Sequence, residues 1–110
     1  MAQVLKVLGQ ADLAATTLTT IYVVPPNTKA VISSIVVCNR NAAARTYRIA
    51  VAVAGAADAV KQYLVYDATI AANESLAFLL GITMEAGDEL RAYVSAVDVS
   101  VNAFGSEQSA

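Results

Sequence analysis

No histidine, no tryptophan and a single cysteine occur among these 110 residues, with only two prolines and five glycines. Without histidine there is no Ser-His-Asp or Cys-His catalysis. Without a second cysteine there is neither an intrachain disulfide nor a Cys/His metal cluster. Charge is scarce as well, at 15% of residues against a usual ~25%. The net charge is −2, so no overall positive field recruits nucleic acid or anionic lipid. Long hydrophobic runs are missing too. The longest, Ile49–Ala57, stops at Asp58, about half of the ~18–20 residues a membrane helix needs. Aromatics, at 6%, are too few for the girdles of an outer-membrane barrel.

What is present is apolar and small. The hydrophobic fraction is 57%, which excludes intrinsic disorder. The length suits one domain spanning 1–110. At the start, Met1–Gln10 carries Lys6 inside an alternating segment rather than a basic stretch followed by an apolar block. Synthesis and assembly in a cytoplasm are expected, with lone Cys38 kept reduced. A disulfide from Cys38 to a neighbouring subunit is the minority alternative.

The periodicity is that of strands. Val97, Val99, Val101 and Ala103 alternate with Asp98, Ser100, Asn102 and Phe104. Arg45, Tyr47, Ile49, Val51 and Val53 alternate in the same way, as do Leu90, Ala92 and Val94. Pro25-Pro26-Asn27-Thr28 cannot sit in a central strand and predicts a turn. Further breaks fall at Asn39-Arg40-Asn41, Gly55–Asp58, Ala71-Ala72-Asn73 and Glu85-Ala86-Gly87-Asp88. About eight strands result, near 3–8, 17–24, 29–39, 45–54, 60–67, 74–80, 89–96 and 97–104. Alanine favours helix across Ala50–Val60, but Val51, Val53 and Gly55 interrupt it. The fold class is all-β, a single-domain antiparallel β-sandwich with jelly-roll-like character.

Strand 29–39 is apolar on both sides. Val31, Ile35 and Val37 take one face, while Ala30, Ile32, Ser34, Val36 and Cys38 take the other. A strand apolar on both faces is covered on both. A second subunit is the expected cover, and a loop across a compact sandwich is the alternative. Segment 1–9, with Val4, Leu5, Val7 and Leu8, is expected to be an edge strand or to exchange with a neighbour. Residues 106–110 are expected to form a loose tail.

Side chains with chemistry are few. Glu85, Asp88 and Glu89 are too few for an oxygen-rich cation site, and turn chemistry accounts for them. Arg40, Arg45 and Arg48 surround the loop 39–44 beside Tyr47, where guanidinium forks would grip an acidic partner. Solvated charges at strand ends that discourage edge-to-edge pairing are the favoured explanation of them. With no histidine in the chain and no lysine near it in sequence, Cys38 reads as a small buried hydrophobe rather than a reactive thiol. Tyr22, Tyr47, Tyr63, Tyr66 and Tyr93 would make a sugar-stacking shelf if they converged. Alternation puts Tyr63 and Val65 on one face and Tyr66 on the other. The candidate partner contacts are therefore Ala30, Ile32, Val36, Cys38, Arg40, Arg45, Tyr47 and Arg48. No catalytic residue, metal or cofactor is expected.

Ile21-Tyr22-Val23-Val24-Pro25-Pro26-Asn27-Thr28, followed by a strand ending in Cys38-Asn39, resembles the opening of small β-sandwich virion proteins of tailed bacteriophages. Tyr47–Val51, Ala86-Gly87-Asp88 and the ending Val99–Glu107 fit the same pattern, so the likeness covers about Thr20 to Glu107. The resemblance implies a non-enzymatic virion component, foremost a capsid decoration or cement protein that stabilises the shell. Neck, tail and fibre parts are the alternative. The implied partners are the chain itself, as a trimer, and the major capsid protein, with no role for nucleic acid or membrane. A carbohydrate-binding module for host attachment is the reading from another class.

Overall fold

The computed structural model describes residues 3–110, and nearly all of the regular structure in it is strand. Nine strands form: β1 (Gln3–Asp12), β2 (Thr19–Val23), β3 (Thr28–Asn39), β4 (Arg45–Ala52), β5 (Tyr63–Ile70), β6 (Ser75–Phe78), β7 (Ile82–Glu85), β8 (Glu89–Val94) and β9 (Val99–Ser109). Sheet A has the order β1-β9-β3-β6, with β7 also on β3, and sheet B the order β2-β8-β4-β5. All named strand pairs are antiparallel. The all-β sandwich expected from the alternation is therefore the observed fold.

The strands begin and end where the backbone demands it. Asn27 takes φ +55° after the two prolines, a conformation asparagine tolerates better than most residues. Gly87, at φ +88°, turns the chain between β7 and β8. There the Asp88 carboxylate accepts the N–H groups of Glu85 and Ala54, each at 2.9 Å. The expected strand 74–80 ends at Phe78, and a further strand that was not expected, β7, follows Leu79–Gly81, so β6 and β7 lie end to end beside β3. The alanine-rich segment leaves β4 at Ala52 and enters two short 3-10 turns, Val53–Gly55 and Val60–Gln62.

Two expectations need correcting. Residues 106–109 are not loose: they belong to β9 and pair with both β1 and β3. Their polar sequence hides a strand that is fixed by neighbours on both sides. The faces of β3 also differ from simple alternation. A bulge between Ile32 and Ser34 inserts one residue and reverses the phase. Ala30 and Ile32 therefore point inward, and so do Ile35, Val37 and Asn39 beyond the bulge. Val36 and Cys38 remain on the outer face. Segment 1–9 takes the edge-strand option on β9; Met1 and Ala2 lie outside the described residues.

The core fills the space between the sheets. Ile32, Ile35, Val37, Val99 and Val101 from sheet A meet Ile49, Ile70, Leu90 and Val94 from sheet B. Each such side chain contributes roughly 1.5–3 kcal/mol on full burial. Polar ties cross the layer as well. The Tyr22 hydroxyl of β2 donates to the Glu107 carboxylate of β9, which also pairs with Lys6 of β1 at 3.1 Å. The hydrogen bond from Tyr22, with help from Lys6, holds the Glu107 carboxyl below its ordinary value of 4.5. Burial, then Glu107 itself, pushes the Tyr22 phenol up. A depressed carboxylate stabilises the fold above its unfolded pKa and stops doing so as pH falls through the folded one. The thermal midpoint of Glu107→Gln should therefore trail the parent most at neutral pH, with the gap closing in acid. A gap that is unchanged from neutral to acid pH would refute this.

Candidate interaction surfaces

The outer faces of the two sheets differ in kind. On sheet B, Arg48 of β4 points outward and its fork is closed by Asp67 of β5, at 2.6 and 3.1 Å. The guanidinium lies 4.2 Å from the Tyr66 ring centre and 4.3 Å from that of Tyr93. Tyr63 meets Tyr66 edge-on, with centroids 5.0 Å apart and planes at 82°. Shifts in the β4–β5 register make this cluster, because they turn both Tyr63 and Tyr66 outward while Val65 packs against the core. The expected pairing of Tyr63 with Val65 on one face is thus corrected. Asp67 stands at φ +52° in the bulge. The bond from Arg48 holds the Asp67 carboxyl below the usual carboxylate range, and Asp67 in turn raises Arg48. Nearby, Arg91 contacts Glu89 and the carbonyls of Gly55 and Ala56.

This face is polar and internally paired. The Arg48 fork is already occupied, and perpendicular rings do not make a flat sugar shelf. Tyr22 and Tyr47 are buried in the core instead. Burial, followed by Glu74, raises the Tyr47 phenol.

The eight contact candidates do not converge. Ala30, Ile32 and Tyr47 are buried between the sheets, so their side chains offer nothing to a partner. Arg48 sits on the outer face of sheet B. Arg40 pairs with Asp12, and Arg45 donates to the Val97 carbonyl at 3.2 Å. The three arginines follow one another in sequence but take separate partners. Val36 and Cys38 share the outer face of sheet A, where Cys38 lies half-buried across from Ser100 and Ser75 and the Arg40–Asp12 pair stands at the end.

That surface is the most distinctive one. The strand registers place Leu5, Val7, Val31, Val36, Cys38 and Phe104 on it. Leu5 is 80% exposed and Val7 47%. Between them stand uncharged polar side chains, among them Ser34, Ser100, Asn102 and Ser106. Among the described residues, charged side chains occur on it only at its two ends, as the pairs Asp12–Arg40 and Lys29–Glu85. Period-two alternation puts Phe104 opposite Val101 and Ala103, yet only strand order shows that it joins Leu5 and Val36.

A second apolar surface was not foreseen. Where β5 faces β6 and β7, the sandwich opens into a groove of about 710 Å³ lined by Leu64, Val65, Phe78, Leu80 and Ile82. Leu79, on its lip, is 83% exposed. The groove depends on which sheet edges meet, which no local pattern records. Among the described residues, no three His, Cys, Asp or Glu side chains gather as a metal site would require.

No protein-family model matches the chain, and no curated protein matches it. Two solved structures of a pentameric capsid protein isolated from metagenomic phage sequences are similar to it. One is 20% identical with a TM-score of 0.39, covering 92% of this chain and 61% of that one. The other is 19% identical with a TM-score of 0.34, covering 92% and 65%. The chain thus spans less than two thirds of the length of either.

Proposed function

We propose that the chain is a non-enzymatic structural component of a phage virion, and specifically a capsid decoration protein that binds the shell and stiffens it. The observation that carries this reading is the outer face of sheet A, where Leu5, Val7, Val31, Val36 and Phe104 stand among uncharged polar side chains and charge is confined to the two ends. Depletion of charge is what marks the centre of a protein contact. The strand order supports it. Four positions, β1-β9-β3-β6/β7, face four more, β2-β8-β4-β5, which is compatible with the jelly-roll reading, an architecture that serves both viral capsid and lectin domains. A fold alone does not choose between those uses. The surfaces favour assembly, because the exposed tyrosines clamp an arginine rather than form a platform.

The test is co-sedimentation with shells of the major capsid protein from the same phage. The chain should pellet with the shells and raise the temperature at which they come apart. Pelleting with tails alone would move it to the neck, tail or fibre. A chain that stays in the supernatant with both, yet binds a glycan array, would replace this reading with the carbohydrate-binding one.

A further inference from the structure

We infer that the outer face of sheet A is a homotypic interface, on which a second copy of this chain packs face to face about a two-fold axis. The inference rests on the assembly reading above and names a second copy as the occupant of that face, so that the shell is met by another surface of the pair. Its first support is area. β9 has 11 residues, and four strand positions lie abreast in the sheet. At about 3.4 Å per residue and ~4.8 Å between strands, the face covers roughly 700 Å². Two such faces together bury about 1,400 Å², within the ~1,200–2,000 Å² of a specific, stable interface.

The second support is charge. Each end of the face carries one neutral pair, Asp12–Arg40 or Lys29–Glu85. Stacking two copies therefore leaves no uncompensated charge along the contact in either strand orientation. The third is symmetry. A closed ring needs two different, mutually complementary patches, whereas one continuous patch meets its own copy about a two-fold. The other apolar surface, the groove at β5, is concave and does not complement a flat sheet. This geometry favours a pair over the trimer expected from the sequence. Stacked sheets lie about 10 Å apart, which covers Val36, Phe104 and the Cys38 thiol together.

Sedimentation equilibrium over about 1–500 µM, combined with the rate at which a soluble reagent modifies Cys38, tests the inference. The parent should approach twice the mass of one chain, and its thiol should react several-fold faster on dilution. Leu5→Lys/Val7→Lys, at exposed edge positions the fold tolerates, should raise the dissociation constant about tenfold or more. Leu79→Lys, on the groove lip, should change neither readout. A chain monomeric throughout, a trimer, or a pair broken by Leu79→Lys but not by the Leu5/Val7 variant would overturn it. A monomer that still pellets with shells defeats the pairing alone. A pair that ignores shells defeats the virion reading alone.

Discussion

Gly105→Ala is expected to destabilise the protein by at least ~3 kcal/mol, lowering the thermal midpoint by roughly 10–20 °C. Gly105 lies on the inner face of β9, opposite Ile32, where the β3 bulge presses backbone against backbone. A methyl group there would fall on the Val31 carbonyl oxygen, and within 3.0 Å of both Ile32 Cα and Leu8 Cδ1. Main chain held by ladders on both sides cannot step aside as a side chain can. Gly81→Ala is the control. Its glycine sits at φ +60° with nothing within 4 Å of the added carbon, so it tests backbone conformation alone and should cost about 1 kcal/mol. Thermal unfolding followed by circular dichroism compares the two. Equal losses would mean that close approach at Gly105 is not what its position requires.

Asn39→Asp should be nearly as damaging, although the shape is unchanged. Asn39 is 1% exposed and ends β3. Its amide nitrogen donates to the carbonyls of Ala43 at 2.9 Å, Ala71 at 3.1 Å and Ile70 at 3.4 Å. Its amide oxygen accepts the Asn41 N–H at 3.0 Å. One side chain thus joins the loop after β3 to the end of β5. An aspartate would aim a charged acceptor at three carbonyl oxygens, at a cost of about 3–5 kcal/mol. Burial and those carbonyls would raise the new carboxyl's pKa in the fold. Between its unfolded and folded pKa values the native state then holds the extra proton, so the variant loses stability as pH rises. Chemical denaturation at several pH values should show the deficit shrinking toward acid. A deficit that grows in acid would contradict this role for Asn39.

Much of the architecture was legible, and the failures share one cause. Period-two alternation located eight strand positions, and Asn27 and Gly87 marked their turns because few other residues accept positive φ. Bulges defeated the assignment of faces. One inserted residue at Ser33-Ser34 placed Ala30 and Ile32 in the core and left Val36 and Cys38 outside. Register shifts in β5 brought Tyr63 and Tyr66 together. A bulge is settled by the neighbouring strand, which for β3 lies in Val99–Ser109, about 70 residues further along the chain. The same holds for Ser106–Ser109, a polar stretch without alternation that is strand only because β1 and β3 flank it. The arginine candidates diverge for another reason. Proximity in sequence across a strand end says nothing of which side of the sandwich each guanidinium reaches.

The place of β9 also sets the order in which this chain can fold. It is the last strand in sequence, yet it stands between β1 and β3 in sheet A. All four strands of sheet B precede it, so that layer can be laid down while sheet A is still two separate pieces. Until residues 99–109 arrive, β1 and β3 each expose an unpaired edge, the template on which strands of other molecules add. Closing those edges requires contacts across nearly the whole chain, and such non-local pairing is slow. During that delay, an interrupted or truncated chain is most exposed to aggregation, and completion of one strand removes both vulnerable edges at once.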